Sequence, residues 1–550
     1  MVHINDLPDN VLELILYHAA ATLEKTLSEW KAKLPLVAVC RSWTKLAQGF
    51  VFHQVYVELT TSQWSSILPF AYSNTRPLWT SNAELVISRG CILKARRLTI
   101  ELADRTTPEC LHSIALDILQ LDRVDWQKIN ALTVTGPSTV HSYSECITDT
   151  EEASDTDIAR TMQYFGQNVR NVVGLKLAYS KSGSRGNYIC ASFSTVYGGQ
   201  LQAHRVSTNT LFGFTNFSSN IKVLELRLDS SAAHVLPSIC GKTLGVLKLF
   251  DVPRNFAWHH FRYDTFDRPI VFHRLTILYI YFDTSGMELT EGELQDKIAS
   301  GAHNCDQLSF PALRELAILD CTPDCDLLYA DTPFPALEKV NLLGSIDNLR
   351  HCSRLRLTWV GDFEVMILPS NSGDTTDIYR ITNHLFANIR IGRTVSLRIL
   401  VYEFILDPDL IRWVNLTNLL IQKVDYVTVC KAIGRMPNLT RLVISYLKFG
   451  DMTIDSYSTD SLLFNSADPM QSWGEKLATL NICDFSAARS FAVCIGGIQD
   501  FILHTGALKE LFVPESSKQL VAAFIDIYKD PCPHLANIQL LDKWDARFRK

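Results

Sequence analysis

The chain has 550 residues, of which 47% are hydrophobic and 20% are charged, and its formal net charge is −6. This composition is typical of an ordered globular protein and excludes a largely disordered one. The small net charge and the absence of a strongly basic tract argue against nucleic-acid binding. The length suits several ordinary domains or one elongated array of repeats.

The chain carries no sign of secretion or of membrane insertion. Its start lacks the basic and apolar regions of a signal peptide, and no apolar run reaches the roughly eighteen residues that a membrane-spanning helix needs. Its 14 cysteines are scattered, mostly inside apolar runs, which is typical of reduced, buried thiols. We therefore expect a protein of the cytoplasm or the nucleus, without membrane contact.

The first fifty or so residues are predicted to form three short helices. Pro8 suits the first turn of a helix, where a missing N–H costs nothing. The apolar residues that follow it recur at the spacing of one helical face: Val11, Leu12, Ile15 and Leu16. A second helical pattern covers 22–33. Pro35 opens a third helix, and one face of that helix carries Leu36, Val39, Cys40, Trp43 and Ala47. Because so few residues bury little apolar surface, we expect these helices to pack against a partner or the domain behind them.

Two stretches of this segment, 7–16 and 34–43, resemble an F-box. This small helical module docks a substrate-recognition protein on the Skp-type adaptor of a cullin-based ubiquitin ligase. The resemblance lies in Leu-Pro at the start of the first stretch and Val-Cys-Arg-x-Trp in the second. It implies that 1–55 dock on the adaptor. The positions that match those which pack the module or face the adaptor are Leu7, Pro8, Val11, Leu12, Ile15, Leu36, Val39, Cys40 and Trp43. From periodicity alone, the alternative is an ordinary helical cap on the following domain.

Past residue 90 one strand pattern keeps returning: an apolar residue, two variable ones, an apolar, one variable, an apolar. Clear copies begin at Leu244, Leu275, Leu313, Leu337, Leu416, Leu439, Leu477, Leu508 and Leu535, and a related one covers 224–228. Weaker copies lie around Leu98, Leu132, Leu175, Leu355 and Leu397. Some intervals are short, such as 23 residues from Leu224 to Leu247, and others are longer, such as 38 from Leu442 to Leu480. More than ten copies in one orientation argue against chance and against unrelated α/β domains.

The pattern resembles the strand core of leucine-rich repeats, whose units run about 20–29 residues. The resemblance implies an α/β fold in which the three-helix F-box is followed by a curved solenoid with a parallel sheet on its concave side. We expect 56–95 to be a transition segment and 96–550 to form the solenoid. Inserted loops are predicted at 142–157, 283–306 and 450–474, where the intervals lengthen or the residues turn polar.

No pattern in the chain points to catalysis. A glycine-rich phosphate loop, a G-x-S-x-G elbow and an H-E-x-x-H pair are all missing. Cys321, Cys325 and Cys352, or Cys532 with His534, lack the paired spacing of a zinc site. We therefore expect a non-catalytic protein without a cofactor or a metal.

The residues between the buried leucines are predicted to line the concave sheet. They are Lys176, Glu225, Arg227, Lys248, Tyr279, Tyr281, Asn341, Arg356, Arg398, Asn481 and Gln539. Tyrosine and arginine are frequent in interface hot spots, so the candidates for target binding are Arg227, Lys248, Tyr279, Tyr281, Arg356 and Arg398. The mixed charge of this surface suits a protein target better than a polyanion.

Together these features predict the substrate-recognition subunit of an SCF-type ubiquitin ligase. Its partners would be the Skp-type adaptor, the cullin-RING ligase behind that adaptor, and a protein target. The alternative is a non-catalytic interaction scaffold with an F-box-like cap and no ligase role. A hydrolase or transferase hidden in a leucine-rich α/β fold is a third class, but it has no motif behind it.

Overall fold

A computed structural model describes 24 stretches of the chain, and the structural statements below concern these residues alone. The stretches are 11–12, 15, 30–31, 34–35, 41–59, 79–102, 108–135, 155–178, 184–207, 220–227, 243–252, 271–283, 310–321, 334–352, 359–369, 375–388, 390–401, 404, 406–448, 475–486, 498–499, 501–503, 505–530 and 532–541. The chain divides into unit 1, Met1–Leu275, and unit 2, Thr276–Lys550.

Unit 1 alternates strands with helices. Its strands are β1 Gln54–Leu59, β2 Trp79–Ser81, β3 Arg97–Glu101, β4 Ala131–Thr135, β5 Gly174–Ala178, β6 Ala203–Ser207, β7 Val223–Arg227 and β8 Val246–Val252. Its helices are α1 Arg41–Val51, α2 Ala83–Ser88, α3 Pro108–Ser113, which continues as a π-turn over Ile114–Ile118, α4 Asp155–Asn168 and α5 Ser184–Tyr197, with 3-10 turns at Ile92–Lys94 and Gly198–Gln200.

From β3 onwards the strands of unit 1 pair in chain order. β1 lies antiparallel to β2 and parallel to β3, and each strand from β4 to β8 lies parallel to the one before it. The register lines up one buried residue per strand in a first row: Leu98, Leu132, Leu175, His204, Leu224 and Leu247. The strands predicted around Leu98, Leu132 and Leu175 are confirmed, because a period-two pattern of large apolar residues buries one face of a strand.

The helices of unit 1 pack on the buried face of these strands, where two aromatic rings join neighbouring helices. Phe165 of α4 meets Phe193 of α5 edge to face, with ring centroids 5.1 Å apart. Leu12 and Trp30, from the start of the chain, belong to the same buried cluster. The indole N–H of Trp30 also donates to the Val51 carbonyl oxygen at 2.6 Å. Leu12 and Trp30 therefore share the core of the first strands.

Unit 2 repeats this arrangement. Its strands are β9 Ile277–Phe282, β10 Glu315–Leu319, β11 Lys339–Gly344, β12 Trp359–Ile367, β13 Arg390–Ile399, β14 Asn418–Asp425, β15 Arg441–Lys448, β16 Thr479–Ile482, β17 Phe485–Ser486, β18 Glu510–Phe512 and β19 Gln539–Leu540. Its helices are α6 Ile346–Cys352, α7 Thr375–Asn388, α8 Tyr426–Ile433 and α9 Glu515–Tyr528, with a 3-10 turn at Pro533–Asn537.

The strands from β9 to β16 lie parallel in chain order, and β18 and β19 continue the series. β17 is a short extension that pairs with the end of β15. The described protein is thus mixed α/β with mostly parallel sheets. Pairing in chain order is the topology that a stack of strand-containing repeats requires.

The register of unit 2 steps by two residues near its middle. Val340 faces Phe363 and Phe363 faces Val395, whereas Leu419 faces Leu397, two residues further along β13. The step lies between β13 and β14. β13 is the longest of the described strands with ten residues, and β12 beside it has nine. The strand predicted around Leu355 lies outside the described residues, and the strand that pairs with β11 begins at Trp359.

The predicted inserts fall largely on residues outside the described ranges. The segments 450–474 and 284–306 lie outside them, and so do 142–154. Helix α4 already begins at Asp155, so the last three residues of the first predicted insert are helical.

Candidate binding site on the sheet face

In unit 1 the residues between the buried leucines lie on the other face of the sheet, because side chains alternate sides along a strand. We call this the open face. In the middle of the last four strands the register places charged residues side by side, and these form the charged row: Lys176, Arg205, Glu225 and Lys248. Adjacent strands are about 4.8 Å apart, so the row extends over about 14 Å.

Glu225 lies at the centre of two ion pairs within the row. The Nε atom of Arg205 is 3.2 Å from one carboxylate oxygen, and the Nζ atom of Lys248 is 3.0 Å from the other. The Glu225 side chain is only 18% exposed, whereas that of Arg205 is 52% exposed. The row thus contains one carboxylate, which pairs with two of its three cations, and it carries a surplus of two positive charges.

The residues that flank the β5–β6 half of the charged row are small. Gly174 and Ala203 form a register pair two residues before Lys176 and Arg205, and Ala178 follows Lys176 by two residues. Thr133 lies next to Lys176 on β4 and is half-buried. Because none of these side chains is long, the two exposed cations of the row stand above their surroundings.

Arg205 was not among the residues predicted for this face. Its repeat reads Leu201-x-x-His204-x-Val206, so a histidine occupies the position that the pattern reserves for a leucine. The copy was therefore missed, although Val206 lies in register with Leu226 as a leucine-type residue would. The 20-residue interval from His204 to Leu224 was the available signal.

His204 is fully buried in the first leucine row. Burial lowers the pKa of this imidazole to about 3, since a charged ring has no water around it there. The Ser194 hydroxyl lies 3.4 Å from its Nε2 atom. A buried neutral histidine that packs among leucines is a core residue, and we assign it no role in binding.

In unit 2 the two predicted tyrosines have different settings. The Tyr279 hydroxyl donates to a Glu315 carboxylate oxygen at 2.8 Å, and the Nζ atom of Lys339 is 3.0 Å from the same oxygen. Burial and this carboxylate together raise the pKa of Tyr279. Tyr281 lies beside Leu319 in register and is half-buried. Tyr279 is thus held within a polar cluster on three adjacent strands.

Two of the predicted concave residues are buried, which corrects the prediction that they line an accessible face. Arg398 is 9% exposed, and its Nε atom is 2.7 Å from a Glu364 oxygen. Asn481 is fully buried. Neither atom of its carboxamide group has a hydrogen-bond partner in the described part of the protein. The alternation of side chains places both on the expected side of their strands, but other residues cover them.

The remaining predictions for this face have mixed outcomes. Gln539 is exposed in β19, and Asn341 is half-buried in β11 with its side-chain oxygen unpaired among the described residues. Arg227 belongs to β7, but the structure does not describe its side chain. Arg356 lies outside the described residues.

The predicted adaptor-binding residues are described only in part. Val11 and Ile15 are helical and each is 39% exposed, while Leu12 between them is 2% exposed. Trp43 lies in α1, and nothing further is described of its side chain. The other candidates lie outside the described residues: Leu7, Pro8, Leu36, Val39 and Cys40. One helical surface thus presents two large apolar side chains to solvent.

The described residues include neither a metal-binding cluster nor a membrane-spanning helix. No group of three or more histidine, cysteine, aspartate or glutamate side chains there has the arrangement to hold a metal ion. Within the same residues, no helix has both the length and the apolar character to cross a membrane. No protein-family model matches the chain, and the search of curated proteins found no match.

Proposed function

We propose that this chain is the substrate-recognition subunit of a cullin-based ubiquitin ligase. Its N-terminal helices dock on a Skp-type adaptor as an F-box does, and a stack of leucine-rich repeats holds a protein target. The chain then contributes no reacting group. It raises the local concentration of the target's lysines at the conjugating enzyme, because linked binding makes the transfer effectively intramolecular.

The adaptor half of the proposal is supported by Val11 and Ile15. Residues four apart lie on the same side of a helix, so the two side chains form one exposed apolar surface while Leu12 packs inward. Exposed apolar patches often mark protein interfaces. Both positions match the F-box pattern in the sequence.

The target half of the proposal is supported by the strand pairing. Parallel strands in chain order, with a leucine row on one side, are what stacked repeats need to bury a continuous core. The opposite side of such a stack is a broad surface that carries charged and aromatic residues, of the kind that protein interfaces use.

A charge-insertion experiment tests the docking helix. In Val11→Glu/Ile15→Glu we expect co-purification with a Skp-type adaptor to be lost, because two carboxylates would be desolvated at the interface. Leu93→Glu is the matched control, since Leu93 is 63% exposed elsewhere in unit 1. Adaptor binding that survives the double substitution would refute docking through this surface.

A second candidate, a scaffold whose helices only cap the repeats, is favoured by one observation. Leu12 and Trp30 already belong to the buried cluster of the first strands, as a cap would. A wild-type chain that purifies as a stable monomer and captures no adaptor would support the scaffold.

A further inference from the structure

We infer that the charged row of unit 1 is the place where the target binds, and that it takes an acidic segment of a protein through aspartate or glutamate side chains. This inference rests on the proposed function, because it names the chemistry of the target that such a receptor would hold.

The contacts of Glu225 show how two cations of the row bind one carboxylate. Each of its oxygens has one cation from a neighbouring strand, at 3.2 Å from Arg205 and 3.0 Å from Lys248. The spacing between strands thus suits a carboxylate that is shared by two cations. Charge-assisted bonds of this type are among the stronger polar contacts in proteins.

Lys176 and Arg205 offer the same arrangement without an internal anion between them. They are register neighbours on β5 and β6, and both are exposed. Lys176 forms no ion pair or hydrogen bond with any residue that the structure describes. Two adjacent like charges repel each other across strands, and an incoming carboxylate would remove that repulsion.

The surroundings admit an extended chain in preference to a compact ligand. Gly174, Ala203 and Ala178 keep the sheet surface low on both sides of the two cations. A segment that crosses the strands along the row would meet Lys176 and Arg205 first and then the partly exposed Lys248. Acidic residues near one another in such a segment would each find a cation.

The test measures binding of fluorescein-labelled hexaglutamate to the full-length chain by fluorescence anisotropy at low salt. We expect saturable binding that weakens about tenfold in Lys176→Gln/Arg205→Gln, as two exposed charge pairs are lost. Arg123→Gln/Lys128→Gln removes the same charge from exposed positions elsewhere in unit 1 and should change the affinity by less than about twofold. Glu225→Gln should tighten binding, because it removes the negative charge from the row and releases Arg205 from its ion pair.

Several results would overturn the inference. One is that hexaglutamate does not bind, and another is that both double variants lose affinity for it equally. The other two are that a phosphoserine hexapeptide binds but hexaglutamate does not, and that equimolar hexathymidylate displaces the probe. The failure of the proposed function is separately visible. If the wild-type chain does not capture the adaptor but still binds hexaglutamate at the charged row, the ligase role is refuted and the binding site remains supported.

Discussion

Replacement of His204 by leucine should abolish one component of the protein's pH dependence. His204 stands in a row of leucines and is fully buried, and burial lowers its pKa to about 3 from 6.5. Below pH 6.5 the unfolded chain therefore binds a proton that the folded chain does not. The stability that depends on neutral His204 is fully present above pH 6.5 and is lost as the pH falls towards 3.

The magnitude follows from these two pKa values. At pH 8 both states carry a neutral ring, so the histidine adds almost no pH-dependent term. At pH 5 the proton taken up on unfolding lowers the free energy of unfolding by about 2 kcal/mol. His204→Leu completes the leucine row, so it should remove this loss and flatten the profile.

The assay is urea denaturation of the full-length wild type and variant at several pH values from 8 to 5, followed by tryptophan fluorescence. Trp126 is fully buried in unit 1 and reports its unfolding. The difference in unfolding free energy between the two proteins should grow by about 2 kcal/mol across this range, because the other titrating groups cancel. Ser194→Ala keeps the imidazole and should retain the wild-type slope. Parallel profiles for wild type and His204→Leu would refute the reasoning.

Two substitutions in unit 2 test its packing. A Cβ on Gly361 would lie 2.8 Å from the Glu338 carbonyl oxygen, so Gly361→Ala should destabilise unit 2 by about 1–3 kcal/mol in urea denaturation. Gly199→Ala is its matched control in unit 1, because a Cβ there meets nothing within 4 Å, and equal losses would contradict the steric argument. Asn481→Leu removes a buried carboxamide that has no hydrogen-bond partner among the described residues, so it should raise the thermal midpoint through a gain of about 1–3 kcal/mol. A lower midpoint would mean that the amide is satisfied in solution.

The exposed apolar pair near the N-terminus could be predicted from the sequence, whereas the ion pairs of the charged row could not. The apolar pair Val11 and Ile15 is a local pattern that the sequence reveals, because four residues span about one helical turn. The ion pairs of Glu225 join residues 20 and 23 positions apart, and only the pairing of strands brings these together. A binding surface on a sheet is for this reason harder to predict than one on a helix.

The burial of Asn481 was not predicted for a similar reason. The alternation of apolar and polar residues showed which side of its strand Asn481 occupies, yet the residue is fully buried. Alternation is a property of one strand, whereas burial depends on what packs over that face. The two-residue step between β13 and β14 was equally invisible, because each strand keeps the same local pattern on both sides of it.

The sequence by itself determined where most strands lie, which of their residues form the leucine rows, and that the class is α/β. Large apolar residues at a period of two are a strong local signal, since burial of one strand face is required wherever the strand pairs. Only the tertiary structure decided the partners of the polar residues. It joined Tyr279 to Glu315, put Arg205 beside Lys176, and buried Arg398 against Glu364. These outcomes depend on strand register, which is set by the summed packing of neighbouring strands and not by any one of them.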